Sequence, residues 1–289
     1  MKTATAISHG AATIINAIAT GKGAAVGVDL WTKATVTLTD EPKVVETRIL
    51  SDQFENPVLA QKTVEQVLRQ FDVDNQFGAK VETQSNIPIA RGLKSSSAAA
   101  NAIALATTAA LECNIDDVDL VKLGVQGALD AKVSITGAFD DACASYFGGI
   151  VVTDNFERKI LKRFEVSETL VVLFYVPHKK TYTTSINVNR MKSVASTLNV
   201  AYTETLNGNY WAALTLNGLI YSSAIGYDPS IAIDALAAGA LASGLSGTGP
   251  AVSAVVSEEN VEQVKDAWQK REGEILQAHI NQQKAKVIK

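Results

Sequence analysis

Residues 88–100, Pro-Ile-Ala-Arg-Gly-Leu-Lys-Ser-Ser-Ser-Ala-Ala-Ala, have the types and spacing of an anion cradle. A glycine-containing loop runs into an alanine-rich segment of helical character. Free backbone N–H groups and the positive end of the dipole at a helix start both favour a phosphate. The hydroxyls of Ser95, Ser96 and Ser97 add donors, or oxygen ligands for a Mg²⁺ that bridges phosphates. Arg91 and Lys94 add positive charge. The same residues would also serve an ordinary surface helix capped by its serines.

Two further segments have chemical potential. In Thr-Gly-Ala-Phe-Asp-Asp, from Thr136, two adjacent carboxylates, Asp140 and Asp141, follow a glycine turn. One such acid can be set against a substrate hydroxyl to take its proton; a helix cap at the surface is the plainer reading. In Ser-Gly-Leu-Ser-Gly-Thr-Gly-Pro, from Ser243, small residues let the backbone approach a ligand closely, unless the loop is only a tight turn before a strand. The chain has no G-x-x-x-x-G-K-[ST], no G-x-G-x-x-G at the right spacing, no G-x-S-x-G and no H-E-x-x-H. These absences argue against a P-loop kinase, a Rossmann nucleotide site, a serine-hydrolase elbow and a zincin.

The elements that must position these segments follow from periodicity. Alternation predicts strands at 31–39, 44–50, 80–85, 150–153, 170–176, 251–256 and 274–280. The 44–50 strand is expected as the hairpin partner of 31–39. Helical spacing predicts helices at 57–71, 95–112, 118–132 and 258–269, with mostly helix from 184 to 238. The run Gly21–Gly27 is expected as a turn, and the basic tail as frayed. Strands in pairs and helices in runs make the class α+β. The charge-rich stretch 155–163 divides the chain into expected domains 1–155 and 156–289.

Composition narrows the classes. The chain has 289 residues, 47% hydrophobic and 19% charged, with a net charge of −4. That excludes disorder and gives no global pull towards nucleic acid or an anionic membrane, so neither is expected as a partner. Cys113 and Cys143 form no disulfide framework, which fits a reducing cytoplasm. His9, His178 and His279 lack metal-ligand spacing, so no zinc site is expected. Neither a signal peptide nor a membrane-spanning stretch is expected.

In this order, the three segments resemble the superfamily named for galactokinase, homoserine kinase, mevalonate kinase and phosphomevalonate kinase, the GHMP kinases. Its central motif is P-x-x-x-G-L-G-S-S-A. Pro88, Gly92, Leu93, Ser95 and Ser96 match it; Lys94 replaces a glycine, and Ser97 stands at the first alanine. Gly244–Pro250 resembles the carboxy-terminal glycine loop. The stretch Gly10–Ile18 resembles the first motif, with Asn16 at its asparagine but without the basic residue some members carry before it. The G-L-K-S-S-S variant, T-G-A-F-D-D and Lys-Thr-Tyr-Thr at 180–183 resemble the archaeal-type shikimate kinase branch.

The resemblance implies a two-domain α+β fold with the active site in the groove between halves. It implies ATP and Mg²⁺, and phosphoryl transfer to the 3-hydroxyl of shikimate. The expected cradle is Pro88, Ile89, Ala90, Arg91, Gly92, Leu93, Lys94, Ser95, Ser96, Ser97 and Ala98, with Asn16; Ser96 is the expected metal ligand. Asp141, seven residues before Gly148, has the spacing of the family's base, and Asp140 is the alternative. Lys94 is expected to compensate for the basic residue missing from the first motif. The acceptor is expected near Asp29, Lys180, Thr181, Thr183 and Arg190, with Gly247, Thr248 and Gly249 closing the groove. A homoserine or mevalonate kinase, or a non-catalytic nucleotide-binding relative, is the alternative.

Overall fold

The computed structural model describes residues 2–51, 56–89, 92–178 and 187–288. Two long strands, β1 (Thr3–Ile15) and β2 (Lys22–Thr39), open the chain and pair antiparallel. On β2, Ala24, Val26 and Val28 face one core and Ala25 the opposite one. This is the period-2 pattern of a strand buried on both faces. The glycine run expected as a turn is therefore strand from Lys22 onward. Glycine at position 23 serves close approach, since a Cβ there would stand 2.5 Å from the Asp140 carboxyl carbon.

The expected hairpin of residues 31–50 does not form. β4 (Gly78–Ser85) takes the free edge of β2, and β3 (Val45–Ile49) pairs parallel with β4. Parallel pairing needs a crossover, and helix α1 (Val58–Gln70) supplies it. Helices α2 (Ser95–Ala110), α3 (Asp117–Asp130) and α4 (Phe139–Phe147) follow; α1, α2 and α4 pack against this sheet, and α3 packs on those three helices. The hairpin of β5 (Ile150–Asp154) and β6 (Lys159–Phe164) joins β2. The division expected at residue 155 thus falls inside a hairpin, and the chain leaves this sheet after Phe164.

The second sheet holds β7 (Leu170–Val176), β8 (Ala242–Leu245), β9 (Val252–Ser257) and β10 (Glu274–His279), in the order β10-β7-β9-β8. Between β7 and β8 lie α5 (Val188–Lys192), α6 (Ala195–Leu206), α7 (Tyr210–Ile225) and α8 (Ser230–Ala237). Helix α9 (Val261–Gln269) precedes β10. The tail does not fray: β11 (Lys286–Ile288) returns to pair with β1. Ala12 and Val26 of the first sheet share one buried cluster with Val172, Phe174 and Val255 of the second and Leu214 of α7. The halves therefore hold each other through a common apolar core, in the α+β arrangement expected. No helix among the described residues is long and apolar enough to cross a membrane.

Candidate active site

Helix α2 starts without a side-chain cap. The serines were expected to cap it; instead Lys94 holds the N-cap position in the left-handed conformation, φ 64°, and Ser95, Ser96 and Ser97 are its first three residues. Gly92, at φ 86°, and Lys94 both turn left-handed, which folds the loop directly into the helix. Helix starts carry four backbone N–H groups without intrahelical partners. This first turn lines a cavity of about 280 Å³.

Across the cavity stands α4, entered through Gly137 and Ala138, both left-handed. Asp140 and Asp141 occupy its first turn, where the dipole favours carboxylates. Lys94 Nζ lies 2.9 Å from Asp141 Oδ2, with the two side chains only 10% and 9% exposed. Asp141 Oδ1 is buried and has no hydrogen-bond partner among the described residues. Asp140 Oδ1 accepts from Asn155 Nδ2 at 2.7 Å, and Asn155 Oδ1 accepts from Thr153 Oγ1 at 2.6 Å. Burial, and then the neighbouring Asp141 charge, push the Asp140 carboxyl up to about 7.

Two asparagines outside the sequence expectations hold this geometry. Asn101 Nδ2 donates to the Ala142 carbonyl at 2.9 Å and to Ser145 Oγ at 3.2 Å, tying α2 to α4. Asn155 fixes Asp140 from the β5–β6 turn. The available signal for Asn101 was a polar amide inside an alanine-rich helix, which a buried helix accepts only when hydrogen-bonded.

The carboxy-terminal glycine loop closes the same end. Ser246 Oγ donates to the Gly92 carbonyl at 2.8 Å, and the Gly247 N–H donates to Thr13 Oγ1 at 2.9 Å. Asn16 reaches the cavity wall, but its Nδ2 donates to the Gly247 carbonyl and its Oδ1 accepts from the Ile18 N–H. Its amide thus builds the loop at the cavity wall. Gly247 sits at φ 63°, and a Cβ there would stand 2.5 Å from Lys94 Nζ. Gly247→Ala is expected to lower kcat about 10- to 100-fold, because the displaced ammonium loses its register with Asp141. Denaturant titration should show a loss of only ~1–2 kcal/mol, the left-handed penalty of an alanine.

Ile89, Gly92, Lys94, the three serines, both aspartates and residues 247–249 line the cavity as expected. Leu93 and Ala98 do not; their side chains pack into the core shared by the two sheets, and Pro88 also lies off the lining. Asp29 is a clear departure from expectation. A bridge between Val28 and Ile280 brings β10 alongside, and the Asp29 carboxylate accepts from the His279 N–H at 2.8 Å. It is half-exposed and off the cavity lining. Arg190 is exposed on the short α5 and is likewise absent from the lining. Ala90, Arg91, Lys180, Thr181 and Thr183 lie outside the described residues.

The cavity is also lined by the apolar Ile49, Leu59, Ile103, Val133 and Ile135, and by Lys132. From Lys94 to Ile103 is nine residues of helix, about 14 Å at the usual rise. Among the described residues no His, Cys, Asp or Glu cluster could hold a metal ion by itself.

Comparison with known proteins gives the family and the fold. Residues 58–149 match the family described as GHMP kinases N terminal domain, and residues 230–274 match GHMP kinases C terminal. The chain is 41% identical to a shikimate kinase of Methanothermobacter thermautotrophicus, covering 97% of this chain and 96% of that protein. It is 43% identical to a shikimate kinase of Methanothrix thermoacetophila, covering 98% and 95%. Among solved structures, a Methanococcus jannaschii mevalonate kinase superposes with a TM-score of 0.77 at 16% identity, covering 96% of this chain and 98% of that one. A homoserine kinase from Cytophaga hutchinsonii does so with 0.74 at 19%, covering 100% and 98%. At such identities these two speak for the fold alone.

Proposed function

The chain belongs to the GHMP kinase family, and from that premise we propose that it is a shikimate kinase, moving the terminal phosphoryl group of ATP onto the shikimate 3-hydroxyl. The observation that carries the chemistry is the Lys94–Asp141 pair, 2.9 Å apart at the uncapped start of α2. The acceptor assignment rests on end-to-end likeness to shikimate kinases at 41–43% identity.

Phosphoryl transfer asks a protein mainly for positioning and charge neutralisation. The first turn of α2, with Ser95, Ser96 and Ser97, holds phosphate oxygens through N–H and O–H donors. The Ser96 hydroxyl, on the first turn of α2, is the protein group that would hold a Mg²⁺, which would neutralise phosphate charge there. Mg-ATP, when bound, supplies the electrophilic phosphoryl group. The apolar lining of Ile49, Leu59, Ile103 and Val133 accepts the flat face of a purine, at a distance along α2 that suits an extended nucleotide.

Asp141 acts as the base. Its Oδ2 is held by Lys94, and the carboxylate stands on the cavity lining, where a substrate hydroxyl can give up its proton to it. Lys94 orients that carboxylate and neutralises charge building on the transferred group. It does so from the second motif, where a family pattern with a glycine has no cation.

The test is stoichiometric. With Mg-ATP, purified protein should release one ADP per shikimate consumed and yield a monophosphorylated product, while homoserine and mevalonate leave ADP release at background. Turnover of either rival acceptor, with shikimate inert, would reassign the substrate and keep the kinase. ATP binding without turnover of any of the three would point to a non-catalytic relative.

A further inference from the structure

Among the described residues, two adjacent buried carboxylates face a single cation, Lys94. Asp140 is 3% exposed and Asp141 6%. Lys94 is committed to Asp141 at 2.9 Å. Asp140 is instead met by neutral groups: Asn155 Nδ2 at 2.7 Å, itself fixed by Thr153, and the bare Cα of Gly23, where a Cβ would stand 2.5 Å from Asp140 Oδ2. Among the described residues, the titratable groups facing it are Asp141 and Cys143 on its own helix, Lys94 at the start of α2 and Tyr221 on α7. Burial holds the Cys143 thiol and the Tyr221 phenol well above their usual ranges, so neither brings charge near neutral pH.

Resting on the kinase reading above, we propose that Asp140 is a positioning residue: a neutral acid clamped by Asn155 that leaves Lys94 to Asp141 alone, and whose ionisation shuts down transfer. The physics is a charge count. Neighbouring carboxylates in a low-dielectric site do not both ionise when only one cation is present. While Asp140 keeps its proton, the cluster is a one-to-one pair and the cradle admits an anionic triphosphate. Once Asp140 ionises, a second negative charge competes for Lys94 and repels the phosphates. Burial and the Asp141 charge raise its carboxyl to about 7, which places that loss on the alkaline side of neutrality.

The same raised value makes a stability statement. An unfolded aspartyl ionises near 4, so between that pH and about 7 the folded state binds the extra proton. Stability from this group is complete at low pH and is lost as pH rises through that window.

Asp140→Asn imitates the neutral acid and cannot ionise. In the wild type, kcat should fall about tenfold per pH unit above its alkaline limit near 7; the variant should lose this limb. The melting temperature of the variant should exceed the wild type's at pH 8 and approach it at pH 4. Infrared difference spectra of wild type against the variant, without substrate, should show a protonated carboxyl band at pH 6 that is gone by pH 9. Asn155→Leu, which removes the clamp, should lower kcat more than it changes KM for ATP, and Asn155→Gln should restore part of it. An Asp140→Asn profile with the wild-type alkaline limb, or no protonated carboxyl at pH 6, overturns the proposal. The band and the melting shift read the proton whether or not shikimate is the acceptor, so they separate this inference from the assignment of substrate.

Discussion

Asp141→Asn is expected to lower kcat by about 10²–10⁴-fold, the usual contribution of a positioned base. KM for ATP should change by only a few-fold, because the phosphate donors on the first turn of α2 are untouched. The geometry separates the two acids: Asp141 is paired with Lys94, whereas Asp140 Oδ1 accepts from Asn155. Steady-state kinetics of the two asparagine variants, measured side by side at pH 6, checks the assignment. An inert Asp140→Asn beside an active Asp141→Asn would exchange the two roles.

Lys94→Gly is expected to reduce kcat about 10²–10³-fold, the scale of removing one preorganised charge from a transition state. Glycine is the sharp choice because Lys94 sits at φ 64°, a conformation glycine adopts without cost, so the helix start keeps its shape. What is lost is the cation over Asp141. Breaking a buried pair by removing one partner leaves an uncompensated carboxylate, at about 3–5 kcal/mol in well-buried cases. The double variant Lys94→Gly/Asp141→Asn should therefore be more stable than Lys94→Gly alone in denaturant titrations. Additive losses would mean the two side chains do not interact, and unchanged kinetics of the single variant would remove Lys94 from the mechanism.

The local segments were legible because they depend on local physics. An alanine-rich helix after a glycine, adjacent acids after a glycine turn and a glycine loop before a strand are each short; the helix and the acids formed where they were read, while the second loop starts only after β8 ends at Leu245. Most strands and helices were legible from alternation and helical spacing for the same reason. Pairing was not. Which strand takes the free edge of β2 is settled by long-range competition, and β4 displaces the neighbouring β3. Spacing marked Gly21–Gly27 as a turn, but Gly23 is there to let an acid from 117 residues later approach the strand.

The site divides along the same line. Residue types alone set the chemical inventory: serines, an arginine, a lysine and two carboxylates suited to phosphate and a proton. Tertiary structure alone decided which carboxylate meets the lysine, that Asn16 and Asn101 hold loops and helices together, and that Asp29 turns to His279 instead of the cavity. Periodicity reports which face of an element is apolar. It says nothing of which polar group on another element, hundreds of residues away, will stand within 3 Å, because that distance is fixed only when the shared core of the two sheets closes.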